Sequence, residues 1–413
     1  MFDIIIIGGG ISGLHTYYKL IQQNKYNKIL LLEKNDYFGG RILQIQKNIN
    51  NTHYSFPAGA ARFNKNHTQV IQLLKEFRLL DFRKDKPFSA AIQFIDTSQQ
   101  FTNKFNNKTG YEFINKVLKL SSKFSDVQLK QLTFRELAMQ VLPQKEAEFL
   151  VYASGYSGQI KNMNAFDAIH LFRSGIRVDM PYWGGKFHIL IEKLVQYIHE
   201  KNGHMLLNSN VTKIKNNKNH YEIHYNSNKV LCNKIIFCIP QQNLLQMPLL
   251  KPIHCIIKDS ITCKPLCRTY AIFKKEDIWF HNLNKKIVTN NQLRYIIPID
   301  ATTGIIMISY TDDMYTNYWK KIQQNQSKLK NTVVKLVNET FNISINPPEK
   351  VFVYHWNCGV AYWNKNHDSQ KISQFLLNPM PNIYLCGENF SLHQSWVEGA
   401  LDTSNKCIQL LYH

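Results

Sequence analysis

Residues 2–14 read FDIIIIGGGISGL. The first six form an apolar run bounded by glycines, the pattern of a parallel strand buried on both faces. Gly8, Gly10 and Gly13 follow at GxGxxG spacing. Small residues there permit a tight turn, a close backbone approach to a pyrophosphate and close helix–strand packing. A helix expected over 13–22 presents its N-terminus to that phosphate. A second apolar strand, KILLLEK (28–34), ends in Glu33, twenty residues beyond Gly13, where a carboxylate holds a ribose hydroxyl. Strand, glycines, helix, strand and acid at these offsets define a nucleotide-binding α/β unit.

The stretch NDYFGGR (35–41) adds Gly39, Gly40 and Arg41, further backbone donors and a fixed cation for a pyrophosphate. At the far end, GENFSLHQSWVEGALDTS (387–404) reads as a turn at Gly387 after a short strand over 383–386. A helix is expected from Ser395 to Leu411, with Ser395 and Glu398 at capping-box spacing. These two ends together resemble the flavin-containing amine oxidase superfamily, including monoamine and L-amino acid oxidases, whose first motif is GxGxxG…E…GGR. The resemblance implies FAD, held non-covalently. The family tether is a Cys in the step that here reads Gly359-Val360-Ala361-Tyr362, and Cys358 is out of register by three. It implies that Gly387, Glu388, Trp396 and Val397 meet the cofactor, the helix N-terminus lying beneath the reduced ring. It also implies that Val211 lies near the adenine and Pro240 near the flavin.

The same resemblance sets the fold class, α/β: a Rossmann-like FAD-binding domain with an inserted α+β substrate-binding domain. The nucleotide domain is discontinuous, its two motifs lying at opposite ends of the chain. It is assigned to 1–85, 200–250 and 350–413, and the substrate domain to 86–199 and 251–349. Helical patterns near 67–80, 113–120, 133–149 and 165–175, with a strand-rich region over 262–311, are read as the substrate side. The first of these falls within a nucleotide segment by those bounds. PYWGGKFHILIEKL (181–194) resembles the family's step back to the nucleotide domain.

FPAGAARFNKNH (56–67) places Gly59, Ala60 and Ala61, small enough for backbone to approach a flavin, just before Arg62. An Arg buried beside a ring system is costly unless it meets an anion. The stretch resembles the L-amino acid oxidase branch, where this Arg grips the substrate α-carboxylate. GIIMISYTDDM (304–314) resembles a strand whose Tyr, here Tyr310, donates to the same carboxylate. Tyr362 and Trp396 are read as an aromatic pair flanking the amine, and Trp356 and Trp363 as packing residues. The family Lys facing the flavin falls on Arg268, which stays charged and cannot act as a base. Lys264 sits on the same strand face by parity. No residue is assigned to a metal.

The chain has 413 residues, 44% hydrophobic and 19% charged, enough for two domains with substantial cores. No apolar run approaches the ~18–20 residues of a membrane helix, and the N-terminus lacks a signal-peptide leader. Monoamine oxidases carry a hydrophobic tail beyond the point where this chain ends. An intracellular (cytoplasmic) soluble protein with reduced, buried thiols is therefore expected from its eight cysteines. The net charge of +21 suits anionic substrates or phosphate polymers. Lys/Arg blocks interleaved with aromatics are lacking, so no specific nucleic-acid partner is expected.

The expected activity is oxidation of a primary amine, foremost an L-amino acid, by hydride transfer to the flavin. O2 is the expected acceptor, giving H2O2. Three other readings stay open. They are a monoamine or polyamine oxidase, an FAD dehydrogenase or desaturase acting on a larger apolar substrate, and a basic binding protein with structural FAD. Oligomeric state is likewise open, a homodimer among the choices.

Overall fold

A computed structural model describes residues 1–88, 91–101, 105, 107–175 and 180–412. Two sheets organise it. Edge to edge, the first runs His204–Leu206, Ile29–Leu32, Phe2–Ile7, Asn228–Phe237, Tyr221–Tyr225, Val211–Asn216; Ile383–Leu385 also pairs with Asn228–Phe237. The strands around Phe2–Ile7 are parallel, and the last two are antiparallel. Alternation explains why this central strand carries no polar face. Ile4 and Ile6 join one core, under the helices Ile11–Gln23 and Val397–Tyr412, while Ile5 and Ile7 join the other. Ile4, Ile5 and Ile6 are fully buried, and truncating any one to Ala would cost about 2–5 kcal/mol.

The helix after the glycines begins at Ile11, two residues before the sequence predicts, with Gly10 extended as its N-cap. It ends at Asn24, which takes the left-handed conformation (φ 51°) that Asn tolerates. At the other end, Gly8 (φ 109°) makes the tight turn, and a Cβ on Gly13 would collide with the Gly8 carbonyl oxygen.

The second sheet is ordered Lys350–Trp363, Ile261–Ile272, Ile305–Asp312, Tyr295–Asp300, Lys286–Thr289, Ile92–Ile95. Its pairings are antiparallel except the last, which is parallel. Helices pack beside it around Phe113, Phe134, Phe149 and Phe172. The helical pattern near 133–149 resolves into two helices, Phe134–Val141 and Gln144–Ala153. Pro143 accounts for the break: the residue before a proline is steered away from the helical region, and Leu142 is extended. The helix Thr68–Glu76 packs through Val70, Leu73 and Leu74 into the core of the first sheet, not into the substrate side.

The cysteine expectation fails at one place. Cys263 and Cys358 are paired as a disulfide, their Cα atoms 5.2 Å apart on neighbouring antiparallel strands. They lie 95 residues apart in sequence, so no local spacing announces them. Among the described residues no helix is long and apolar enough to cross a membrane.

Candidate active site

A cavity of about 530 Å³ lies between the two sheets, within the range of small-molecule sites. One end is built from the first sheet. Gly8, Gly10, Glu33, Gly39, Gly40, Arg41, Val211, Gly387, Glu388 and Val397 all line it. Glu33 is buried at the end of its strand and accepts from the amides of Gly9 (2.7 Å) and Asn35 (2.9 Å), which fix its carboxylate at the cavity wall. Gly13 does not face the cavity; its missing side chain lets the helix sit on the glycine turn.

Arg41 and Glu388, 347 residues apart, form an ion pair at 2.9 Å. Arg41 also donates to the Gly359 carbonyl (2.9 Å). Glu388 accepts further from the amides of Ala361 (3.1 Å) and Ser395 (2.6 Å) and from the Asn389 side chain (2.9 Å). The sequence assigned Arg41 and Glu388 to separate contacts; the fold makes them one knot that ties the diglycine turn to the C-terminal segment.

The expected Ser395–Glu398 capping box is not formed. Ser395 is left-handed (φ 72°), its Oγ is buried without a partner among the described residues, and the helix starts at Val397. Glu398 instead turns to another helix, accepting from the amides of Gln69 and Val70, both at 2.9 Å. A carboxylate on the free amides of a helix N-terminus is favourable, so the correct partner was the start of Thr68–Glu76.

Arg62, Arg268, Tyr310, Tyr362 and Trp396 line the other half of the cavity. Arg62 is held on a two-residue strand opposite Gly184, and its guanidinium has neither hydrogen bond nor ion pair among the described residues. A Cβ on Gly59 would strike the Arg41 carbonyl oxygen, so glycine is required where this segment passes the diglycine turn. Arg268 donates to the Pro57 carbonyl (3.1 Å), and its guanidinium carbon lies 4.7 Å above the Tyr310 ring. Burial pulls the Arg268 pKa down, Tyr310 and Tyr270 beside it pull it up, and the balance lies above the usual arginine value. Arg268 thus stays a cation.

Trp396 stacks on Tyr182 (6.0 Å, 11°) and meets His67 (4.6 Å), rather than contacting Tyr362. Both Trp396 and Tyr362 still face the same cavity. Trp363 packs, fully buried, donating to the Ser391 carbonyl, whereas Trp356 lines the cavity. Lys264 does not reach in. Its ammonium pairs with Asp313 at 3.1 Å, and Lys264 is absent from the cavity lining.

Several lining residues carried no motif. Tyr111 and Tyr295 share a hydroxyl–hydroxyl bond (2.9 Å), Tyr156 stacks on Tyr295 and meets Tyr310 edge-on, and Lys286 lies over Tyr182 (5.6 Å). They come from a helix, several strands and two loops, so only folding assembles them.

The family model for flavin-containing amine oxidoreductases matches residues 11–407. The chain belongs to this family. An uncharacterized protein of Acanthamoeba polyphaga mimivirus is 20% identical, the match covering 99% of this chain and 94% of that protein. Amine oxidase [flavin-containing] A of Equus caballus is 34% identical over 84 residues, 20% of this chain and 15% of that enzyme. Among solved structures, a redesigned putrescine oxidase superposes with TM-score 0.76 at 13% identity, covering 100% of this chain and 99% of its own. Cyclohexylamine oxidase from Brevibacterium oxydans gives TM-score 0.73 at 13% identity, both chains fully covered.

The flavin amine oxidase fold accordingly accounts for the two sheets, and the protein is an amine-oxidising flavoenzyme whose cofactor is FAD. The residues present fit that group. A Cβ on Gly10 would meet nothing within 4 Å, so the glycine turn is an open cradle. Ser395, Trp396 and His355 line the same cavity, and their Oγ, Nε1 and Nε2 atoms are buried without a hydrogen-bond partner among the described residues.

Proposed function

We propose that this flavoenzyme oxidises the Cα–N bond of an L-amino acid, with O2 as acceptor. The observation that carries this reading is Arg62: a cation lining the cavity with no carboxylate paired to it among the described residues. A substrate α-carboxylate would supply that anion, and Tyr310, which lines the same half of the cavity, would donate its hydroxyl to it. Trp396 and Tyr362 then wall the amine, which must be neutral to react, and the surrounding tyrosines exclude water. FAD, when bound, would supply the acceptor for the Cα hydride and its two electrons. The amine nitrogen gives up a proton, and water converts the imine to a 2-oxo acid and ammonia. O2 then accepts the two electrons with two protons, leaving as H2O2. The chain's own contribution is orientation and a fixed electrostatic field.

Glu33, Gly8, Gly10, Gly40, Arg41, Gly59, Ala60, Ala61, Val211, Gly387, Glu388 and Val397 are assigned to the cofactor. The test is anaerobic bleaching of the flavin band by a panel of L-amino acids and amines. An L-amino acid should bleach it, and Arg62→Ala should weaken that response by about 100-fold or more, the scale of a lost charge-assisted pair. Bleaching only by amines without a carboxylate would overturn the reading.

One observation favours a second reading of the acceptor. Arg268 is buried, charged and held by Pro57, so it offers no proton. A dehydrogenase passing electrons to another acceptor is the alternative, and slow reoxidation on admitting air after substrate reduction would select it.

A further inference from the structure

The half of the cavity that takes the substrate is more cationic than one carboxylate requires. Arg62, Arg268 and Lys286 all line it. The carboxylates on the cavity wall are Glu33 and Glu388 among the described residues, and both lie at the nucleotide end, bound to backbone amides or to Arg41. None of the three cations has a carboxylate within ion-pair reach among the described residues. A neutral amine adds no charge, so a substrate with a single carboxylate leaves the buried Arg268 and the half-buried Lys286 without an anion, an unfavourable arrangement in a shielded cavity.

Lys286 stands apart from the proposed α-carboxylate clamp. It lies at the start of the strand Lys286–Thr289, paired with Ile92, and its ammonium sits 5.6 Å over Tyr182, which in turn stacks on Trp396. Tyr182 is therefore in contact with both Lys286 and Trp396. Burial first, and then the Arg62 charge, press the Lys286 pKa down to about 8. Two cations close enough to disturb each other in one cavity call for an anion between or beside them. The net charge of +21 favours the approach of such a ligand.

We infer that the substrate is an acidic L-amino acid, its side-chain carboxylate held by Lys286 while Arg62 holds the α-carboxylate. This rests on the amino-acid reading above and deepens it.

The holoenzyme is titrated anaerobically with L-glutamate, L-aspartate and their amides L-glutamine and L-asparagine. Binding of glutarate and butyrate is measured by calorimetry, a readout independent of turnover. The acids should bind at least about 10-fold more tightly than the amides, and glutarate more tightly than butyrate by a similar factor. Lys286→Met should collapse the acid-to-amide ratio toward one, and Lys286→Arg should keep most of it. Amides binding as well as acids in the wild type, or a ratio indifferent to Lys286→Met, would overturn the inference while leaving amino-acid oxidation standing. Reduction by amines alone, with no amino acid active, would remove both.

Discussion

Arg268 and Tyr310 are directly opposed on adjacent antiparallel strands, and the guanidinium carbon lies 4.7 Å above the phenol ring. The pair turns an arginine that burial alone would discourage into a stable cation facing the cavity. Arg268→Lys keeps a cation but loses the planar stacking, and a buried lysine yields its proton far more readily. For a ligand with one carboxylate, the variant's Kd relative to wild type should rise as pH climbs from about 7 to 9.5. Ligand titrations across that range check it; a constant ratio would show that Arg268 does not govern anion affinity.

Glu388 is the acceptor for Arg41, two backbone amides and a side-chain amide at once, and it is 5% exposed. Glu388→Gln leaves the Arg41 charge uncompensated and at least one amide without its acceptor. The expected loss is about 3 kcal/mol of stability, with weaker FAD retention. Chemical denaturation and the release of flavin fluorescence on warming measure both. A double-mutant cycle with Arg41→Met should show coupling of about 1 kcal/mol or more.

Gly59→Ala is the sharpest steric test. The added methyl meets the Arg41 carbonyl oxygen, and backbone cannot retreat as a side-chain tip can. The variant should lose FAD or fail to accumulate folded. Gly10→Ala, where a Cβ meets open space in the protein itself, should fold normally and be impaired only in FAD affinity. Thermal melts of the two apoproteins separate these outcomes, and equal melting temperatures would contradict the packing described here.

Asp167 is buried between the helix Ala165–Ser174 and Ser369, accepting from Asn164 (2.6 Å) and Ser369 (2.9 Å). Burial raises its pKa from 3.8 to about 6. A folded-state pKa above the unfolded one means the contribution is present below pH ~4 and is lost as pH rises through ~6. The difference amounts to about 3 kcal/mol. Asp167→Asn should therefore gain stability relative to wild type between pH 4 and 7. Urea denaturation at both pH values checks the sign, and a constant difference would exclude ionisation at this position.

Much of the cofactor end was legible because its chemistry is local. Gly8, Gly10 and Glu33 need only a strand, a turn and a second strand, all within the first 33 residues. Arg62 and Tyr310 were legible through family resemblance rather than through any spacing of their own. Lys264 misled because parity along one strand says nothing of partners elsewhere, and its ammonium is taken by Asp313, 49 residues on. Glu398 misled because the capping spacing is a local rule, while the amides it satisfies belong to a helix some 330 residues away.

The sequence by itself determined the nucleotide turn, the α/β class and the family, since periodicity and short glycine motifs are written in neighbouring residues. Tertiary structure alone decided the disulfide, the Arg41–Glu388 knot and the tyrosine- and lysine-lined half of the cavity. Those groups meet only when distant segments of two sheets and their helices close on one another, and no linear spacing records that closure.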